Sequence, residues 1–205
     1  MSKNYEKPTI FVTRRWPDEA ELALKRYFNP TLNHNDVPLR ASQIADGFAS
    51  HDALAPTVSD QITAEIIAAG ASGKGRLIAN FGVGVNHIDL LAAAKAGVAI
   101  SNTPGVLTDA TADLTLAIIL MVSRRAGEGE RELRAGEWNG WRPTHMMGRS
   151  LRGKTLGIIG MGRIGKAVAH RAVLGFGMKV IFFNRTTVTD ITKYEALQVA
   201  DVETL

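Results

Sequence analysis

Short apolar runs alternate with helical patterns along most of the chain, as expected of βα units laid around a parallel sheet. Ile10-Phe11-Val12 predicts a strand, residues 17–28 a helix opened by Pro17, and Asp52-Ala53-Leu54-Ala55 a strand ending at Pro56-Thr57. Residues 60–69 predict a helix with Asp60 as N-cap and Gly70 as stop. Leu77-Ile78-Ala79-Asn80 predicts a strand, residues 88–96 a helix closed by Gly97, and Val98-Ala99-Ile100 a further strand. Residues 1–102 therefore read as a first α/β domain, and 103–205 as a second.

Thr103-Pro104-Gly105 breaks the pattern, and Thr108-Asp109 can cap a long helix with apolar Leu114, Ala117, Ile118, Met121 and Val122 at helical spacing. The run 114–122 is far too short to cross a bilayer, so it predicts a buried helix, expected to bridge the domains. Residues 124–136 continue helically, Trp138-Asn139-Gly140-Trp141-Arg142-Pro143 forms a loop, and strands follow at 156–159 and 179–183 around a helix at 163–174. Residues 195–205 read as another helical beginning. Two strands fall short of the roughly six in a dinucleotide fold of two βαβαβ halves, so the second domain is expected to be incomplete. Its open edge would favour association or poor solubility.

Candidate chemistry centres on Gly160-Met161-Gly162-Arg163-Ile164-Gly165, which follows the apolar run Leu156-Gly157-Ile158-Ile159 and opens a helix. In that context Gly160 permits a tight turn, Gly162 lets backbone N–H groups approach a pyrophosphate, and Gly165 lets the helix pack closely. The anion would sit at the helix N-terminus. The bland alternative is a plain glycine turn. Where such folds place an acidic residue for the adenine ribose, the end of the second strand, this chain has Asn184, Arg185 and Thr186. A carboxylate would repel a 2′-phosphate, whereas a guanidinium pairs with it, so NADP(H) is expected over NAD(H). The alternative is a solvated loop arginine.

The chain has 205 residues, 45% hydrophobic and 21% charged, which suits one or two globular domains and excludes disorder and collagen-like repeats. The net charge of +4 is modest, and acids interleave with bases through residues 124–132, a solvated helical face rather than a nucleic-acid surface. With no cysteine, disulfides, thiolate metal sites and thiol nucleophiles are excluded. The first eight residues carry no signal-peptide core, so neither export nor a membrane partner is expected, and the cytoplasm is the expected location.

Three segments together resemble the D-isomer-specific 2-hydroxyacid dehydrogenases, particularly their glyoxylate and hydroxypyruvate reductase branch. They are Asn80-Phe81-Gly82-Val83-Gly84-Val85-Asn86-His87-Ile88-Asp89, the run from Ser101-Asn102-Thr103-Pro104 to Thr111-Ala112-Asp113, and the run from Gly153-Lys154-Thr155 through Gly165. The resemblance covers essentially the whole chain. It implies an α/β fold of two Rossmann-like parallel-sheet domains, a flavodoxin-like substrate domain and an NAD(P)-binding domain, with hydride transfer between NAD(P)H and a short 2-keto acid.

By the same resemblance, Val83 and Gly84 offer amides to the substrate carboxylate, as glycine-rich turns can for anions. Thr108 contacts the cofactor, with a simple helix cap as the alternative, and Arg163 and Ile164 meet the pyrophosphate. A homodimer through the 108–122 helix is also implied. Asn86 departs from the aspartate common in the family. The family's catalytic arginine, glutamate and histidine lie in segments downstream of Leu205, which leaves a non-catalytic dinucleotide-binding module, or an assembly subunit completed by a partner, as competing readings. Five histidines are present, His34, His51, His87, His145 and His170. His87 lies nearest the carboxylate loop, with Asp89 two residues on, but local packing or capping is the expected role. His145 reads as structural or exposed, and His51 could line a cleft.

Overall fold

A computed structural model describes residues 6–191, 194 and 196–205; most of the segment read for a signal peptide, Met1 to Tyr5, lies outside the described residues. The chain divides into two compact units, Met1–Pro104 and Gly105–Leu205.

The first unit runs β1 (Thr9–Val12), α1 (Asp18–Tyr27), β2 (Asn29–Thr31), α2 (Ala41–Ser50), β3 (Ala53–Ala55), α3 (Ala64–Ser72), β4 (Leu77–Ala79), α4 (Leu90–Ala96) and β5 (Ala99–Ser101). All five strands pair in parallel in the order β2-β1-β3-β4-β5, the flavodoxin-like order, whose switch point falls between β1 and β3. Fully buried Leu54 and Ile78 pack with Phe48, Ile62, Ile66 and Ile67 on one side, while Val12 and Ala55 lie in a second cluster with Ile10 and Ala53. Covered by helices, these strands read as unbroken apolar runs rather than alternations.

Two elements escaped the sequence pattern. β2 is three residues long and contains Pro30, which an edge strand tolerates because one row of its backbone groups has no sheet partner. α2 presents only Ile44 and Phe48 as large buried side chains, and Gly47 within it faces the Phe11 ring. The boundaries of α3 also differ from expectation. Asp60 is not its N-cap. It is buried and accepts hydrogen bonds from Thr13 Oγ1 (2.6 Å) and Thr57 N (2.8 Å), tying together the loops after β1 and β3. Thr63 occupies the N-cap position, and Gly70 lies inside the helix against Phe48, with Gly73 closing it.

The second unit contains α5 (Thr108–Ser123), α6 (Ala126–Arg134), β6 (Thr155–Ile159), α7 (Arg163–Phe176), β7 (Lys179–Phe183) and β8 (Ala196–Gln198). Its sheet is parallel with the order β6-β7-β8, the 3-2-1 half of a dinucleotide fold read from the other edge. The expected helical beginning at 195–205 is corrected: Glu195 lies outside the described residues, and Ala196–Gln198 form a strand in register with Val180, Ile181 and Phe182. Three residues are too few to declare a strand without the neighbour that pairs with them.

Phe182 and Val180 pack with Met161, Ala169 and Ala172, and Ala112 and Leu116 of α5 pack on Val168 of α7. Arg171 clamps the same two helices, reaching Asp109 (2.9 Å) and Asp113 (2.6 Å). The expected burial of the 114–122 run is overturned. Only Ala112 and Leu116 are buried in α5, while Leu114, Ile118, Met121 and Val122 are each more than half exposed. Periodicity identified the shared face, but the face packed on α7 is the one carrying Ala112 and Leu116. α5 and α6 are separate helices, broken where Arg125 takes φ +56°. No described helix is long and apolar enough to cross a membrane.

Candidate functional site

Hydrogen bonds across the strand end shape the turn after β6. Gly160 adopts φ +95°, a conformation that glycine reaches without strain, and its N–H donates to Phe183 O (2.8 Å). Met161 is buried below the turn, and its N–H donates to Asn184 Oδ1 (3.3 Å). Gly162 is the N-cap of α7, and a β-carbon there would meet open space. A β-carbon on Gly165 would run into the Gly160 carbonyl oxygen, so this glycine is what lets the helix sit against the turn. The first α7 bond recorded runs from Lys166 N to Gly162 O (2.9 Å). No side chain caps the helix, and its first turn carries no acid. Among the described residues, none supplies an acceptor to the N–H groups of Gly162, Arg163, Ile164 or Gly165. Orphan donors at a helix N-terminus with open space before them fit a pyrophosphate.

At the end of β7, Asn184 is committed to the loop: its Nδ2 donates to Thr186 O (2.9 Å) and Thr186 Oγ1 (3.2 Å). Gln198 of β8 tightens the same loop by donating to Thr186 O (3.1 Å) and Asn184 O (3.3 Å). Asn184 thus fixes the shape of the loop, and Arg185 and Thr186 are its exposed positions. Thr108 is the first residue of α5 and makes no side-chain cap; Leu107 stands at the N-cap, which corrects the capping expectation.

In the first unit, the loop after β4 has its carbonyls turned inward. Gly82 O accepts from Asn80 Nδ2 (3.1 Å) and Thr103 N (3.1 Å), Val83 O from Asn102 Nδ2 (2.8 Å), and Gly84 O from Asn80 Nδ2 (2.9 Å). None of the described residues supplies an acceptor to the amides of Val83 and Gly84. Consecutive free N–H groups with every carbonyl engaged behind them make an anion cradle. The loop lies at the carboxyl ends of the strands, where ligands of open α/β sheets gather. Phe81 stacks on Trp16 with ring centroids 4.8 Å apart. Gly84, exposed Asn86 and His87 line an open cavity of about 360 Å³ together with Val58 and Gln61.

Most histidines have structural partners. His87 Nε2 is 3.0 Å from Asn80 Oδ1, while Asp89 caps α4 by accepting from Ala92 N, so the two do not form a pair. His51 is held by Thr31 Oγ1 (2.8 Å) and Gly47 O (2.8 Å). His145 meets Glu132 at 2.8 Å in a cavity of about 470 Å³ that Trp138 and Trp141 also line. His170 packs edge-on against Tyr194, and His34 is exposed.

Residues 116–205 match the family model of the D-isomer specific 2-hydroxyacid dehydrogenase NAD binding domain. The glyoxylate reductase of Thermococcus litoralis is 38% identical over 203 residues, covering 97% of this chain and 60% of the relative. The similarity to D-isomer specific 2-hydroxyacid dehydrogenases runs along nearly the whole chain. Among solved members, the 2-hydroxyacid dehydrogenase of Ketogulonicigenium vulgare superposes with a TM-score of 0.78 at 29% identity, covering 98% of this chain and 61% of that one. The glyoxylate reductase of Paecilomyes thermophila does so with a TM-score of 0.74 at 29% identity, covering 96% and 61%. The chain spans about 60% of the length of the 2-hydroxyacid dehydrogenases it matches.

The sequence pointed to Val83 and Gly84, whereas Asn80, Asn102 and Thr103, whose hydrogen bonds give that loop its shape, were not singled out. The available signal was a buried amide side chain at the end of a strand, since a buried polar group demands partners.

Proposed function

We propose that these 205 residues bind NADP(H) and a short 2-keto acid, glyoxylate or hydroxypyruvate, in a reductase of the 2-hydroxyacid dehydrogenase type. The observation that carries this reading is the uncapped start of α7 behind the Gly160 turn, an anion site built from main-chain nitrogens. When bound, the nicotinamide coenzyme supplies a hydride to the C2 carbonyl. Gly160 forms the bend, and the N–H groups of Gly162, Arg163, Ile164 and Gly165 grip the pyrophosphate. Thr108 offers its hydroxyl to the cofactor. Asn184 holds its loop in shape, while Arg185 and Thr186 receive the ribose 2′-phosphate, a guanidinium being suited to pair bidentately with it. Val83 and Gly84 direct their amides at the substrate carboxylate. The sheet orders and the glyoxylate reductase relatives support this assignment.

A second reading, a dinucleotide-binding module without turnover, is favoured for these residues alone by the commitment of His51, His87 and His145 to structural partners. Both readings include a homodimer through the apolar face of α5 and a cytoplasmic location, in keeping with a reductase that uses a diffusible coenzyme.

Calorimetric titration with NADPH and NADH tests the coenzyme assignment. NADPH should bind more tightly, and Arg185→Ala should weaken it about tenfold or more while leaving NADH little changed, the scale of a lost charge-assisted hydrogen bond. A variant that keeps its NADPH preference removes the role of Arg185. Folded protein that binds neither coenzyme overturns the dinucleotide reading altogether.

A further inference from the structure

The Asn80 side chain is 2% exposed as a residue and sits where three loop groups converge. Its Nδ2 bears two hydrogens, and both are used, on Gly82 O (3.1 Å) and Gly84 O (2.9 Å). Its Oδ1 then has to accept, which identifies the nearby His87 Nε2 (3.0 Å) as the protonated nitrogen and fixes the neutral imidazole in one tautomer. The direction of every bond follows from the two carbonyls: they can only accept, so Asn80 can only donate to them. In a trans peptide the N–H points opposite to the preceding carbonyl, so the hold of Asn80 on the Gly82 carbonyl turns the Val83 amide outward, and Asn102 does the same for the Gly84 amide through the Val83 carbonyl (2.8 Å). The amides of Val83 and Gly84 are thereby left facing away, without a protein acceptor among the described residues.

We propose that Asn80 and His87 are positioning residues for the 2-keto acid carboxylate: His87 orients the Asn80 amide, and Asn80, holding the Gly82 and Gly84 carbonyls, orients the Val83 amide directly and fixes the loop from which the Gly84 amide also meets the substrate. This rests on the carboxylate-loop reading given above. Neither side chain touches the substrate in this scheme. Preorganised donors need no reorganisation when the anion arrives, so loosening them weakens affinity without removing any contact atom.

The test is a glyoxylate titration of isotope-labelled full 205-residue protein, following the amide resonances of Val83 and Gly84, with those of residues 160–165 as an internal reference for intact folding. Three variants separate orientation from simple packing. Asn80→Asp keeps the size but replaces the donor by a carboxylate that repels the two carbonyls. His87→Leu removes the donor to Asn80, and His87→Gln restores an N–H donor without a titrating ring.

In the wild type, both amides should shift on adding glyoxylate. Asn80→Asp and His87→Leu should weaken that response about five- to tenfold, the scale of one lost hydrogen bond, and His87→Gln should recover most of it. A wild-type response that Asn80→Asp and His87→Leu leave unchanged overturns the positioning role alone. The same holds if His87→Gln is as impaired as His87→Leu, because bulk rather than donation would then matter. If the wild-type amides do not respond to glyoxylate, the carboxylate-loop reading fails and the positioning role falls with it.

Discussion

Partial burial holds the His87 imidazole below the usual histidine range, with the charge of Asp60 pulling weakly the other way. A lowered folded value means that protons bind the unfolded chain more readily once the pH drops below the ordinary imidazole value of about 6.5. The stability contributed by neutral His87 is therefore complete above that pH. It declines as pH falls toward the lowered folded value, and no further loss comes from this residue below it. Comparing urea midpoints of the wild type and His87→Gln from pH 7.5 down to 5 should show the wild type losing more, because glutamine does not titrate. Parallel curves would assign the acid sensitivity elsewhere. At this scale the glycine turn before α7 was legible in the sequence, because Gly160 and Gly165 meet across only five residues. The orientation of Val83 and Gly84 was not, because Asn102 and Thr103 come from the end of the adjacent strand β5 and become partners only once the sheet has formed.

Strands that carry apolar runs, β1, β3, β4, β6 and β7, could be read directly: those of the first unit are covered by helices and need no alternation, while β6 and β7 alternate in burial along an apolar run. β2 and β8 could not, being three-residue edge strands defined by their pairing rather than by their composition. The start of α3 was misplaced for a related reason: the Asp60 carboxylate takes a hydroxyl donor from Thr13, 47 positions away, instead of capping the helix that follows. For α5, spacing predicted the helix but assigned the wrong face to the core. Leu114 (62% exposed), Ile118 (52%), Met121 (51%) and Val122 (75%) form an exposed apolar stripe, the face on which the proposed dimer would pack. In sedimentation velocity the wild type should associate with rising concentration, and Ile118→Glu with Val122→Glu should shift it to monomer. Because both side chains are more than half exposed, the double variant should keep its denaturation midpoint within about 0.5 kcal/mol of wild-type stability. A wild type that stays monomeric throughout would remove the dimer from the proposed function.

At the scale of the whole molecule, binding and chemistry come apart. Reducing a 2-keto acid requires a proton donor for the nascent hydroxyl and a cation to polarise the carbonyl, with donor geometry as the first criterion. His87, the histidine closest in sequence to the glycine loop after β4, already spends its Nε2 proton on Asn80 and is pushed toward the neutral form by burial. His145 is tied to Glu132 and His51 to Thr31 and Gly47. Half-buried Arg14 and exposed Arg15, in the loop after β1, are engaged with Asp36 and Asp18. The two proposed anion sites, by contrast, consist of main-chain amides that need no titrating group. Purified 205-residue protein should therefore quench NADPH fluorescence and respond to glyoxylate, yet leave NADPH absorbance unchanged when both are present. Steady loss of that absorbance, scaling with protein concentration and abolished by a side-chain substitution on this chain, would mean that one of these engaged groups breaks its contact to donate the proton. His87→Gln would be the first variant to examine, since it preserves the hydrogen bond to Asn80 while removing the acid.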